Sequence, residues 1–207
     1  MHAASGYGCG VRRVLVVLVG VALCGALVAC VRESAGVPGA VADPGPATTV
    51  ERPPRPRDAA IADLDPCLLL TETQRADLQL DGEPGVNVGR SALFQGPEPT
   101  CNIRSYEPRA VAVGVSLPYD GLGIDAFAPA RVDSRVTPLT IEGFPGVQAV
   151  PARLDDFCSV AVDLGPGAAL SIQYADGGRV PAVPQPELCA GAVEVARAAM
   201  RTLVKLA

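Results

Sequence analysis

The sequence predicts an α+β domain: an antiparallel β-sheet with N- and C-terminal helices packed on it, stapled by two disulfide bonds. Three observations predict this class. Apolar residues recur with a period of two in several segments of the second half of the chain, an apolar stripe of helical period covers residues 186–206, and four cysteines are spread over the same region. Helices at both ends of a run of strands are typical of helices packed on one antiparallel sheet.

The domain is predicted to begin at residue 61, with two helix signals. Asp65 followed by Pro66 is typical of an N-cap and a first-turn proline, and the segment from Thr71 to Gln74 has the spacing of a capping box. The segment from Gly82 to Gly85 is expected to end this helical part.

Alternating apolar residues then predict the strands. The clearest segments are residues 101–105, 111–117, 158–164 and 170–174. Gly165–Gly167 is expected to connect the last two as a β-hairpin. Residues 139–150 are predicted as one further strand, irregular around residues 143–146, and residues 119–135 show only a possible short helix at 125–131.

The C-terminal helix is the strongest prediction. Pro186 is suited to the first turn of a helix. An apolar row that is expected to pack in the domain core consists of Leu188, Ala192, Val195 and Ala199. Charged residues occupy the opposite side of the helix, with bases in the last turn, where the helix dipole favours them. They are Glu194, Arg197, Arg201 and Lys205.

The four domain cysteines are Cys67, Cys101, Cys158 and Cys189. An even set in an exported protein predicts two disulfides, and four cysteines allow three connectivities. The pairs Cys67–Cys101 and Cys158–Cys189 are favoured because each would join one helix to a nearby strand. A zinc site is the alternative, but structural zinc usually takes cysteines two to four residues apart, which these are not. We therefore expect no metal.

Residues 1–29 have the layout of a secretory signal. Arg12 and Arg13 precede an apolar run from Val14 to Val28, which spans only about 22 Å as a helix, short of the ~30 Å of a bilayer core. The run ends in Leu27, Val28, Ala29 and Cys30, which look like a bacterial lipobox. Diacylglyceryl transfer to the Cys30 thiol and cleavage before it would anchor the chain. A plain secretory signal or an uncleaved anchor is the alternative, and the export route stays open.

Cleavage would leave an acidic chain without histidine. Of 17 basic residues 15 remain, against 22 acidic ones, which gives a net charge of −7. No basic stripe is present, so nucleic acid is not an expected partner. The expected membrane contact is made by the acyl chains on Cys30.

Residues 30–60 are predicted to be a tether that begins with the acylated cysteine. The segment is rich in proline and lacks apolar periodicity, so it cannot bury enough surface to offset its ordering entropy. A proline motif recognised by a partner is the alternative.

The segment Asp65-Pro66-Cys67-Leu68-Leu69-Leu70-Thr71 resembles the opening of a domain-of-unknown-function family of small actinobacterial lipoproteins, the Lpr type of mycobacteria. Later landmarks follow in order: Cys101, the Ile141–Val147 segment, Cys158 and a cysteine in an Ala-rich final helix. Ile103 departs from the family, which often has Trp there. The resemblance implies a lipoprotein of the cell envelope and supplies no established activity.

The residues themselves offer little catalytic chemistry. The single histidine, His2, lies in the predicted signal, which excludes histidine-based triads from the mature chain. Asp155 and Asp156 form the one adjacent acidic pair, and a solvated turn explains them. No cofactor motif is present.

The sequence therefore predicts a membrane-anchored lipoprotein on the outer side of the cytoplasmic membrane. Its domain is expected to be a non-enzymatic binding module for an unknown envelope protein or small ligand. A carboxylate-based hydrolase of the cell envelope is the alternative, and a structural subunit of an envelope assembly is a third possibility.

Overall fold

The computed structural model describes residues 52–206. Seven strands form one antiparallel sheet in the spatial order β1-β2-β3-β7-β6-β5-β4. The strands are β1 Gly85–Arg90, β2 Pro97–Ser105, β3 Val111–Ser116, β4 Ser134–Ile141, β5 Phe144–Pro151, β6 Phe157–Gly165 and β7 Ala168–Asp176. The helices are α1 Glu72–Asp77 and α2 Gln185–Leu206, with 3-10 helices at Pro66–Leu69 and Gly123–Phe127. The predicted fold class is confirmed.

The N-terminal helices begin at the residues that the sequence indicated. The Asp65 side chain accepts a hydrogen bond from the Cys67 N–H, so Asp65 is the N-cap of the first 3-10 helix. Thr71 and Gln74 form a complete capping box at α1, each side chain bonded to the backbone of the other. Local chemistry thus determines both starts.

Two meanders build the sheet. Strands β1–β3 run in order from one edge, and β4–β7 return from the other edge until β7 pairs with β3 at the centre. The segment that joins the meanders carries the 3-10 helix Gly123–Phe127, which ends before Pro129 and is shorter than the helix predicted at 125–131. This crossing covers part of one sheet face with a small apolar cluster.

The predicted single strand at 139–150 is wrong. The segment contains the end of β4 and most of β5, joined by a two-residue turn at Glu142 and Gly143. Both turn residues have positive φ, 49° for Glu142 and 84° for Gly143, as tight hairpin turns between twisted strands require. The chain therefore reverses where the sequence analysis expected only an irregularity.

The sequence analysis also missed β1 and the first half of β2. Pro97 and Pro99 argue against a strand, but each uses only its carbonyl, which accepts from the N–H of Tyr119 and Leu117 respectively. Because these two hydrogen bonds need no N–H group from residues 97 and 99, the strand tolerates both prolines.

The main core lies between the sheet and the helices. Helix α2 packs across β6 and β7, and its row Leu188, Ala192, Val195 and Ala199 is fully buried, as predicted. The predicted β6–β7 hairpin at Gly165–Gly167 is also present.

Part of the predicted tether lies within the described residues. Arg55 contacts Asp163 at 3.0 Å, and the Ala59 N–H donates to the Leu164 carbonyl. Arg57 donates to the carbonyl of Val204 near the end of α2. Residues 52–60 therefore run along the domain, whereas residues 30–51 lie outside the described part of the chain.

Candidate functional site

An open cleft lies where α2 leaves the outer strands uncovered, and we call it the helix cleft. Its volume is about 480 Å³, within the ~300–1,000 Å³ range of ligand sites. It lies between α2 and the β4–β5 hairpin. The lining residues are Arg135, Gln148, Val150, Gln185, Pro186, Cys189, Ala190, Val193, Glu194 and Arg197.

The register between β4 and β5 shows which side chains form the sheet side of the cleft. Arg135 of β4 lies opposite Val150 of β5, and Thr137 lies opposite Gln148, so these side chains share the face that α2 covers only in part. The Gln148 amide lies 3.5 Å from the Cys189 carbonyl of α2. The disulfide Cys158–Cys189, with Cα atoms 5.0 Å apart, ties the helix wall of the cleft to β6. Both walls of the cleft are therefore fixed by the fold.

The helix cleft combines an apolar wall with unpaired positive charge. Val150, Val193 and Pro186 supply apolar surface. Arg135 and Arg197 are exposed, and neither forms an ion pair or side-chain hydrogen bond within residues 52–206. Glu194 is the single acid among the lining residues, so the cleft is cationic on a chain of net negative charge. Two guanidinium groups beside an apolar wall suit an anion with an apolar body.

A second, polar groove of about 320 Å³ lies on the opposite face of the sheet, and we call it the sheet groove. Mostly small and neutral side chains from β2, β3, β6 and β7 form its floor, and Glu98 of β2 also lines it. Phe94 and Phe127, in edge-to-face contact, are two further lining residues. The Thr100 and Ser116 hydroxyls are 2.9 Å apart. The floor residues are Thr100, Asn102, Ala112, Gly114, Ser116, Ser159, Ser171, Gln173 and Ala175. Its hydroxyls already bond one another in part, so it offers less for a ligand to pair with than the helix cleft.

Four carboxylates line a third cavity, beside α1. They are Glu72, Asp81, Glu83 and Glu107. The Asp81 carboxylate accepts hydrogen bonds from the Tyr106 N–H and the Ser105 hydroxyl, both at 2.9 Å, and these hydrogen bonds lower its pKa. Glu107 pairs with Arg179. The Asp81 carboxylate therefore binds the start of the β2–β3 loop through these two hydrogen bonds.

The structure places the residues predicted from the sequence as follows. Cys30 and the lipobox residues Leu27, Val28 and Ala29 lie outside the described residues. Disulfides join Cys67 to Cys101 and Cys158 to Cys189, the two helix-to-strand pairs that the sequence analysis favoured. Asp155 and Asp156 are exposed in the β5–β6 connection. Within residues 52–206, no group of three or more His, Cys, Asp or Glu is arranged to hold a metal ion.

The helix cleft is not among the features predicted from the sequence. Arg197 is predicted on the polar side of the last helix, and Arg135 lies at the end of a segment without a clear pattern. Alternation along Arg135, Thr137 and Leu139 was the signal available, because these residues share one strand face. The order of the strands in the sheet brings that face beside Arg197 of α2, and a local sequence pattern does not show this.

A disulfide-stabilised α+β domain with a ligand-sized cleft at its helix–sheet boundary is the class of protein that these features define. Its two disulfides indicate a location outside the reducing cytoplasm. The chain belongs to the family described as protein of unknown function (DUF3558), whose model matches residues 25–202. Searches of curated proteins and of solved structures found no match. Among the described residues, no helix is long and apolar enough to cross a membrane.

Proposed function

We propose that this protein is a membrane-anchored lipoprotein of the actinobacterial cell envelope whose domain binds a ligand without catalysing a reaction. Acyl chains on Cys30 hold it to the outer face of the cytoplasmic membrane, and the proline-rich segment before the domain is its tether. The lipobox at residues 27–30, the disulfides and the family resemblance support this location.

The ligand in this proposal is an anion with an apolar body, held in the helix cleft. The observation that carries it is that Arg135 and Arg197, which form no ion pair within residues 52–206, line one cavity beside Val150 and Val193. Carboxylate or phosphate groups fit a guanidinium fork, and the apolar body would displace water from the valine wall. A carboxylate hydrolase has no comparable support, since the Asp81 carboxylate in the acidic cavity already accepts hydrogen bonds from Ser105 and Tyr106.

Ligand-observed NMR on the mature lipidated chain in nanodiscs tests the ligand class. Phenyl phosphate is the probe, with inorganic phosphate and benzyl alcohol as separate arms for its charged and apolar parts. Arg135→Gln and Arg197→Gln should each weaken phenyl phosphate binding roughly tenfold, the lower end for a hydrogen bond to a charged group. Arg131→Gln, which alters an exposed arginine outside the cleft, should leave binding unchanged.

Binding of phenyl phosphate that all three arginine variants retain would show that the helix cleft is not the anion site. Binding of benzyl alcohol as tight as that of phenyl phosphate would show that the anion is not recognised. Ala190→Trp adds a steric test, because exposed Ala190 lines the cleft and a large ring there should block the probe.

The anchor has its own test. Cys30→Ala should abolish acylation and leave the chain as uncleaved precursor or released protein. A variant that is cleaved and still partitions into detergent like the wild type contradicts the lipoprotein assignment.

A further inference from the structure

Strand β1 lies at an edge of the sheet with an unusual amount of apolar surface. All six of its residues are exposed, and the side chains of Val86 and Val88 are 52% and 74% exposed. Val86 pairs with Cys101, whose disulfide partner is Cys67, so both valines lie on the same face as the first 3-10 helix. Leu68 of that helix is also exposed, at 59%.

The backbone of β1 also offers free hydrogen-bonding groups. Because the carbonyls of Pro97 and Pro99 point towards β3, the alternate residues of β2 point their backbone groups towards β1. The register pairs those residues, Glu98, Thr100 and Asn102, with Gly89, Asn87 and Gly85. The N–H and C=O groups of Val86, Val88 and Arg90 therefore face outward, beyond the edge of the sheet.

The opposite edge of the sheet differs. Strand β4 has Pro138 in its middle, and proline is a common device that prevents edge strands from pairing. Strand β1 has no proline, and its one charged residue, Arg90, stands at its end. The chain thus protects one edge and leaves the other suitable for strand addition.

We propose that β1 pairs with β1 of a second copy of this chain, antiparallel about a twofold axis, to give one continuous sheet across two domains. Charge complementarity favours a second copy as the occupant. Exposed Glu83 lies just before β1 and Arg90 at its end, and neither has an ion pair within the described residues. When the two strands pair with Val86 opposite Val88, Arg90 lies opposite Pro84 of the other copy, one residue from Glu83, so the Arg90–Glu83 contact forms twice.

The outward-facing groups restrict the register to alignments of even-numbered residues with each other, and among these we choose the one that pairs both valines of each copy. Val86 of one copy lies opposite Val88 of the other, which places Asn87 on the twofold axis and joins the two valine pairs into one apolar patch. A six-residue edge buries less surface than the ~1,200 Å² of a standard interface, so the dimer is weak and reversible. Confinement of anchored copies to one membrane raises their effective concentration.

Photo-crosslinking of the full lipidated chain in membranes tests this proposal, with a benzophenone amino acid at position 87. A crosslinked band at twice the monomer mass is expected. Val88→Lys should reduce that band at least fivefold, whereas Val180→Lys, at a 98% exposed loop valine, should not. Circular dichroism melting of both variants checks that the fold is retained.

The charge swap identifies the partner as a second copy. Arg90→Glu and Glu83→Arg should each weaken the dimer band, and the double variant should restore it because both contacts then regain opposite charges. A band that Val88→Lys leaves unchanged, a double variant that does no better than the singles, or a crosslink only to a different protein would overturn the proposal. So would the absence of any dimer band at high membrane density.

Discussion

Gly191 of α2 lies directly against the ring of Tyr174 on β7. A Cβ atom built at Gly191 would stand 2.8 Å from Cζ of Tyr174 and 2.9 Å from one of the Cε atoms. The tyrosine is only 8% exposed, and burial raises the pKa of its hydroxyl. The helix thus approaches the sheet as closely as it does because it has no side chain at this turn.

Gly191→Ala should therefore destabilise the domain although alanine is the better helix former. Overpacking a core costs about 1–3 kcal/mol, whereas replacing a helical glycine with alanine gains about 1 kcal/mol. We expect a net loss of about 1 kcal/mol in the free energy of unfolding from urea denaturation. In a Tyr174→Ala background the same substitution should be stabilising, and a loss of equal size in both backgrounds would refute the steric explanation.

The two disulfides should each contribute about 3–4 kcal/mol to stability, because they close loops with sequence separations of 34 and 31 residues. Cys67→Ala with Cys101→Ala, and separately Cys158→Ala with Cys189→Ala, should each lower the free energy of unfolding by roughly this amount. Mass spectrometry after alkylation without reductant should find all four thiols blocked. Four alkylated cysteines in the folded wild type would contradict both bonds.

The ion pair between Arg55 and Asp163 should hold residues 52–60 against the domain. Arg55 also contacts Asp58, whose hydrogen bond is the main cause of its raised pKa. Arg55→Gln leaves the mostly buried carboxylate of Asp163 without its ion pair, and we expect the free energy of unfolding to fall by about 1–2 kcal/mol. That is less than the ~3–5 kcal/mol for a fully buried pair, because the Arg55 side chain is 27% exposed.

Hydrogen exchange at the Ala59 amide, which bonds to Leu164, reports this contact. Arg55→Gln should accelerate exchange there, and adding Asp163→Asn should recover part of the lost stability. Arg153→Gln is the control because its pair with Asp133 is highly exposed. Unchanged Ala59 exchange in Arg55→Gln would show that the ion pair does not hold the segment.

Asp81 should make stability depend on pH in the acid range. Its pKa is lowered from the ordinary value of 3.8, chiefly by the Tyr106 N–H and then by the Ser105 hydroxyl. The stabilisation is therefore fully present above the unfolded pKa and is lost as the pH falls through the lower folded pKa. Asp81→Asn should be less stable than the wild type at pH 7, and the difference should shrink towards pH 2.

Urea denaturation across this pH range measures the effect. Exposed Asp77, whose side chain has no hydrogen bond or ion pair among the described residues, provides the matched control as Asp77→Asn. A stability difference for Asp81→Asn that stays constant with pH would show that the carboxylate's charge is not involved.

Local signals were the reliable part of the sequence analysis. The Thr71–Gln74 capping box depends on residues three apart, and the buried row of α2 depends on a single helical period, so neither needs knowledge of the rest of the fold. The wrong predictions concern segments whose local pattern is compatible with two different structures. Glu142 and Gly143 reverse the chain only because β4 and β5 pair, and Pro97 fits a strand only because its carbonyl alone is used.

The sequence by itself determined the α+β class and the starts of the N-terminal helices, since these follow from periodicity and capping, and it favoured the disulfide pairs without excluding the other two connectivities. Tertiary structure decided which surfaces stay open. Arg135 and Arg197 line one cleft because α2 packs mainly on β6 and β7 and makes only minor contacts with β4 and β5, and β1 has a free edge because the two meanders join at β3 and β7. Strand order and helix placement depend on contacts between residues far apart in sequence, and no local pattern encodes them.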